Sequence, residues 1–237
     1  MQRHPLASTA HMLITTVLLF AAMSCLAAEG DNSGFLGKTV WETIQRGGAV
    51  MYVILALSVI GLTFIFEAAF RTRRSAILPA SAVRALASSD TAAAVERLAG
   101  KSQKVSLHRV LKVGHRWRRG STQQIQSAIE EVVDDMLWQF RRSVRPIGIL
   151  ANTAPLLGLL GTVVGIIEAF DVVAQEGALG DPSALAAGIS KALFTTCFGL
   201  IVAIPMLLSY HYLAGKAETL LRQCEELAKE ALVLPPD

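Results

Sequence analysis

The chain has 237 residues, 52% of them hydrophobic, with a mean hydropathy of +0.46. That is too apolar for an ordinary soluble domain, and three scattered cysteines, Cys25, Cys197 and Cys224, exclude a disulfide framework and any metal or redox spacing. The net charge of +3 is small, but the charge is segregated along the chain.

Residues 1–28 read as a secretory signal. Arg3 and His4 form a weakly basic start, residues 12–23 an apolar core too short to span, and Ala27 and Ala28 the cleavage positions. An uncleaved first span is the alternative; for lipoprotein cleavage before Cys25, Ala22 is a poor match. Residues 29–46 form a periplasmic lead in which Val40, Trp41 and Ile44 share one side of a helical turn and Trp41 suits the membrane interface. Residues 47–68 are the first span. Residues 47–66 carry no charge, and twenty residues of helix cross about 30 Å. Arg71, Arg73 and Arg74 follow, so that end is cytoplasmic and the N-terminus periplasmic by the positive-inside rule.

The next region, 69–145, reads as cytoplasmic and helical. Between residues 71 and 145 it holds 15 Lys and Arg against 6 Asp and Glu. Pro79 opens a short helix. Asp90 caps another over 91–99, which Gly100 ends, and residues 103–119 give a third with Val105, Val110, Leu111 and Trp117 for burial. The basic run 116–119 reads as charge beside a membrane, with no nucleic-acid partner. Ser121 and Gln124 form a capping box. Ile125, Ile129, Val132, Val133, Met136, Leu137 and Phe140 then mark an apolar helical stripe. Glu130, Glu131, Asp134 and Asp135 lie off it as a solvated face, since no His or Cys joins them at ligand spacing.

This helix is expected to run into the second span, 146–170, carrying Arg141, Arg142 and Arg145 at the surface, with at most a kink at Pro146. Residues 171–185 form a short periplasmic connection with Asp171, Glu176 and Asp181. The third span is 186–210. Residues 211–237 hold a cytoplasmic C-terminal helix with Leu220, Leu221, Leu227 and Leu232, stopped by Pro235 and Pro236. The fold class is an all-α membrane protein of three transmembrane helices.

Small and hydroxyl residues recur at helical steps in the last two spans. Ala154, Gly158, Thr162 and Gly165 share one face; Gly188, Ala192, Thr196, Gly199 and Ala203 share another. Such stripes let membrane helices approach closely. Thr162 and Thr196 fall at one depth, about 13 Å below the outer surface at 1.5 Å per residue. In a ring of subunits they form a polar belt. No Asp, Glu or His lies mid-span, so the chain alone supplies no group that relays protons. Lys191 sits one turn into the third span, where an unpaired ammonium is costly, and Glu168 and Asp171 end the neighbouring span at that level. Lys191 is expected to pair with one of them, Glu168 first.

The segments APLLGLLGTVVGI and GIS-ALFTTCFGLIVAIP resemble the pore helices of the MotA/TolQ/ExbB proton-channel family, and within it the ExbB type. The likeness covers roughly residues 47–214. It implies a pentameric subunit of an inner-membrane proton channel. An ExbD-like single-span partner would bring an aspartate into the pore, and a TonB-like transducer would couple proton flow to uptake across the outer membrane. By the resemblance Thr162 and Thr196 match the pore-lining threonines, with Gly158, Gly165 and Gly199 beside them, and Glu168, Asp171 and Lys191 are outer-mouth charges. The family often has Glu where this chain has Lys191. A TolQ-like envelope role and a non-conducting three-span scaffold are the alternatives. No nucleophile–base pair or metal constellation points to an enzyme, and no cofactor is implied.

Overall fold

A computed structural model describes residues 48–87, 91–100, 105–176 and 182–233. The signal and the periplasmic lead, the Asp90 cap, Gln103 and the terminal prolines lie outside these residues. Among the described residues the chain forms seven helices: α1 Gly48–Arg71, α2 Arg74–Ile77, α3 Ala80–Leu86, α4 Thr91–Ala99, α5 Ser106–Arg116, α6 Thr122–Glu176 and α7 Pro182–Val233. Three of these, α1, α6 and α7, are long and apolar enough to cross a membrane. The protein is an all-α, multi-pass membrane protein.

The 55 residues of α6 begin at the expected capping box. The Ser121 amide donates to Gln124 Oε1 at 2.9 Å, and the Gln124 amide donates to Ser121 Oγ at 3.3 Å, so two otherwise orphaned donors are satisfied. The helix assignment is unbroken through Pro146 and Pro155. It also runs past Phe170 to Glu176, so the first six residues expected in the connection are helical. Nothing in Asp171–Glu176 breaks a helix; the first glycine is Gly177. The third span and the C-terminal helix are likewise one element of 52 residues. Pro182 opens α7, a position where the missing amide costs nothing. The two segments join without a break because LAGKAETLLRQCEELAKEALV consists almost wholly of strong helix formers.

The chain divides into two compact units. The first combines the part of α1 up to Thr63 with residues 147–209; the second combines residues 64–146 with those from Tyr210 onward.

In the second unit the short helices and the polar halves of α6 and α7 enclose one apolar core. Leu107, Val110, Leu111, Ile129, Val133, Cys224 and Ala228 are fully buried in it. The α6 stripe supplies its buried face as expected, apart from the half-buried Val132, while Trp117 is 48% exposed instead of buried. Trp117 is the C-cap of α5, where the helical face that carries Val110 and Leu111 inward no longer directs the side chain. The four carboxylates of α6 are on an exposed face as expected, and three of them also pair with bases. Glu130 accepts from Lys229 at 2.6 Å, Asp135 from Arg109 at 3.0 Å, and Asp134 lies 3.9 Å from Arg222. Lys229 also donates to Glu225 at 2.7 Å, and Arg222 to the same carboxylate at 2.9 Å.

Candidate functional site

In the first unit α6 and α7 lie against each other on their small residues. A side chain started on Gly188 would meet Ala169; on Gly165, Ala192; on Gly161, Thr195; and on Gly199, the Ala154 carbonyl at 2.7 Å and Gly158 Cα at 3.1 Å. Numbers rise on one helix as they fall on the other, so the two run antiparallel. The contact is backbone on backbone. A Cβ on Gly158 would sit 2.9 Å from Thr196 Cα and 3.0 Å from the Thr195 carbonyl oxygen. That proximity is what the small-residue stripes provide. Met206 of α7 fills the space over Gly61 of α1, and the Lys191 side chain lies over Gly48. Gly61 and Met206 thus sit further along both helices than Gly48 and Lys191, which makes α1 and α7 parallel.

This geometry fixes where the expected site residues lie. Gly158, Gly165 and Gly199 are covered by the opposite helix of the same chain. Thr196 donates its hydroxyl proton to the Gly158 carbonyl oxygen at 2.9 Å. Thr162 donates to the Leu159 carbonyl of its own helix at 2.6 Å. Gly161, next to Thr162, faces Thr195, next to Thr196, so the two threonines share a level to within a turn. Thr195 is the residue that the stripe analysis passed over. It is 1% exposed and donates to the Ala192 carbonyl at 2.7 Å, with the Gly158 carbonyl at 3.3 Å. The signal was its step of three from Ala192 and of four to Gly199, which puts it closer to the contact than Thr196.

A hydroxyl has one proton to donate and two lone pairs. Thr162, Thr195 and Thr196 each direct that proton at a backbone carbonyl, which leaves their oxygens as acceptors. Residues 147–167 and 192–210 hold no charged residue and no histidine. The level is therefore polar without being able to bind a proton at neutral pH.

One turn from this level, Lys191 Nζ donates to Glu168 Oε2 at 2.6 Å. The pair forms as expected, with Glu168 and not with Asp171. Its members lie on the two helices at the register set by the small-residue contacts, which brings them together. Gly48 matters here. It has φ +68°, and the Cε and Nζ atoms of Lys191 lie 3.4 Å from where its side chain would start. A glycine adopts that backbone freely and leaves room for the ammonium stem.

With this arrangement established, similarity assigns the chain to a class. The profile of the MotA/TolQ/ExbB proton channel family matches residues 102–226. The chain belongs to this family. It is 30% identical over 204 residues to the biopolymer transport protein ExbB-like 1 of Synechocystis sp., covering 84% of this chain and 80% of that relative. It is also 30% identical over 198 residues to a biopolymer transport protein ExbB homolog of Methanothermobacter thermautotrophicus, covering 81% and 68%. The biopolymer transport protein ExbB of Aquifex aeolicus is 37% identical over 84 residues, 35% of this chain and 56% of that protein.

Proposed function

We propose that the chain is an ExbB-like subunit of an inner-membrane stator that couples the proton-motive force to TonB-dependent transport across the outer membrane. Its N-terminus is periplasmic and its charged helical unit cytoplasmic. Copies of the chain, five by the resemblance, surround the helix of an ExbD-like partner. Relatives described as biopolymer transport proteins support the transport role.

The observation that carries this reading is the level of Thr162, Thr195 and Thr196. Thr162 and Thr196 leave hydroxyl oxygens as acceptors there, within stretches, residues 147–167 and 192–210, that hold no charged residue and no histidine. Such a belt orders water and accepts hydrogen bonds but does not relay a proton. A titrating group from a partner helix completes the path. In this proposal Thr162 and Thr196 border the pore, while Gly158, Gly165 and Gly199 set the helix separation that presents them. The Lys191–Glu168 pair neutralises the outer mouth, where the family often carries a lone acid.

The test is co-reconstitution with an ExbD-like partner in vesicles under a pH gradient, read by a trapped pH dye. Thr162→Val and Thr196→Val each keep the shape and remove the hydroxyl. Proton flux is expected to fall about tenfold, the equivalent of one lost hydrogen bond to the permeating species, with assembly retained. Unchanged proton-driven function in the double variant would favour the non-conducting scaffold instead. Rescue of envelope integrity without rescue of uptake would favour the TolQ-like role.

A further inference from the structure

Two hydroxyls of α7 stand within reach of one carbonyl of α6. The Thr196 hydroxyl lies 2.9 Å from the Gly158 carbonyl oxygen and the Thr195 hydroxyl 3.3 Å from it. Their exposure differs: Thr196 is half-buried and Thr195 is fully buried. Glycines of the facing helix enclose Thr195. A side chain started on Gly161 would run into its hydroxyl, and one started on Gly158 would come 3.0 Å from its carbonyl oxygen. A hydroxyl shielded in this way gives its proton to the chain and not to water. Two acceptors are in range, the Ala192 carbonyl at 2.7 Å on its own helix and the Gly158 carbonyl at 3.3 Å across the contact. One proton between two unequal acceptors makes a three-centre bond, strong to the first and weak to the second.

Thr196 is placed differently. Among the described residues its hydroxyl donates to one acceptor, the Gly158 carbonyl. Held so, it accepts hydrogen bonds from water but donates none. A chain of waters reverses its hydrogen-bond direction each time a proton passes along it. A hydroxyl that borders the chain serves both directions only if it accepts in one and donates in the other. To donate, Thr196 must rotate its proton away from Gly158, a turn that breaks no covalent bond. The turn takes the stronger hydroxyl bond from a carbonyl inside a helix contact closed to water, and that loss opposes it. A second donor already directed at the same oxygen reduces the loss, because the shared proton shifts toward the carbonyl that has been released.

We infer that Thr195 is a positioning residue for Thr196: its buried hydroxyl is the reserve donor to the Gly158 carbonyl that lets the Thr196 hydroxyl alternate between that carbonyl and pore water. The inference rests on the reading above, in which Thr196 borders the pore, and gives a role to a neighbour that does not itself meet the pore.

The test is a double-variant cycle in the vesicle assay with the ExbD-like partner, with assembly of each variant checked by size exclusion. Thr195→Val keeps the outline and removes the donor. It is expected to lower proton flux about fivefold, within the roughly two- to tenfold that one neutral hydrogen bond is worth. Thr195→Ser keeps the donor and should restore most of the flux. In a Thr196→Val background, Thr195→Val should change the remaining flux by less than about twofold, since a reserve donor has no role once residue 196 has no proton to turn. A residue that only packs would give equal losses in both backgrounds, and equal losses overturn the inference. If valine is not accommodated against Gly161, Thr195→Ala, which only removes atoms, takes its place with the same expectations. Flux lowered by Thr196→Val but not by Thr195→Val overturns the inference alone. Flux unchanged by Thr196→Val removes the pore reading and the inference with it.

Discussion

The ammonium of Lys191 on α7 donates to the Glu168 carboxylate on α6 at 2.6 Å, across the contact that the small residues of the two helices make. Alone, a charge one turn inside a span is unfavourable, by up to about 2.5–3.5 kcal/mol at a helix centre and less near an end. Paired, the two residues form a neutral link between the spans.

That link makes the charge order testable. Lys191→Glu places two carboxylates together, and proton-driven function should fall. Adding Glu168→Lys restores an opposite-charge pair in reversed order and should return part of the function. If the double variant is no better than the single one in the same flux assay, the pair is not what holds this end of the site.

Glycines on α7 and its neighbour should respond oppositely to alanine. Gly158→Ala drives a methyl into the backbone of Thr195 and Thr196, which has nowhere to move. It should destabilise by about 1–3 kcal/mol, as overpacking does. Gly215 has nothing within 4 Å of its would-be Cβ, and Gly215→Ala should stabilise by about 0.5–1 kcal/mol through helix propensity. Thermal unfolding in detergent should show the two shifts with opposite signs; a neutral Gly158→Ala would contradict the close approach.

Cys224 should behave as a thiol that does not ionise. Its sulfur is fully buried, donates weakly to the Ile77 carbonyl at 3.5 Å, and burial pushes its pKa up to about 12. An unfolded cysteine ionises near 8.5. The folded value is the higher one, so this group's contribution to stability is complete below about pH 8.5 and is lost as pH rises towards 12. With Cys25 and Cys197 replaced by serine, a maleimide should leave Cys224 unmodified at pH 8 until denaturant is added. Labelling of the folded protein at the rate of a free thiol would show that the core is open.

Glu225 gives the opposite pH dependence. Burial would raise its pKa, but hydrogen bonds from Lys229 and Arg222 outweigh that and hold it below the usual carboxylate range. The folded value is the lower one, so the stabilisation is present above about pH 4.3 and is lost as acid protonates the group. Lys229→Met removes one partner from Glu225 and the 2.6 Å bond to Glu130. It should lower the unfolding midpoint at pH 7 by more than at pH 4, and equal losses at both would count against the network.

The sequence alone determined that the chain spans a membrane three times and that α6 is capped at Ser121 and enters the second span. Those features depend on local quantities: run length, helical period, a capping pair and the absence of charge. The Lys191–Glu168 pair was legible for the same reason, since the antiparallel spans put both residues at one depth. Element ends were less legible. The continuous helix α7 and the helical Asp171–Glu176 follow from helix propensity sustained where a change in polarity had suggested separate segments.

Only the tertiary structure decided which face of each stripe is used. Gly158, Gly165 and Gly199 read equally well as facing a pore or a neighbouring helix, and the register between α6 and α7 is not written in either segment by itself. It is set by where two backbones can approach, which buries Thr195, brings Thr196 to the Gly158 carbonyl and leaves Thr162 bonded to its own helix. The pairing of Glu130, Asp134 and Asp135 with bases from α5 and α7 is of the same kind. Residues far apart in sequence become partners because an apolar core between their helices fixes their separation, and a carboxylate cannot signal from the sequence which distant base that core will bring to it.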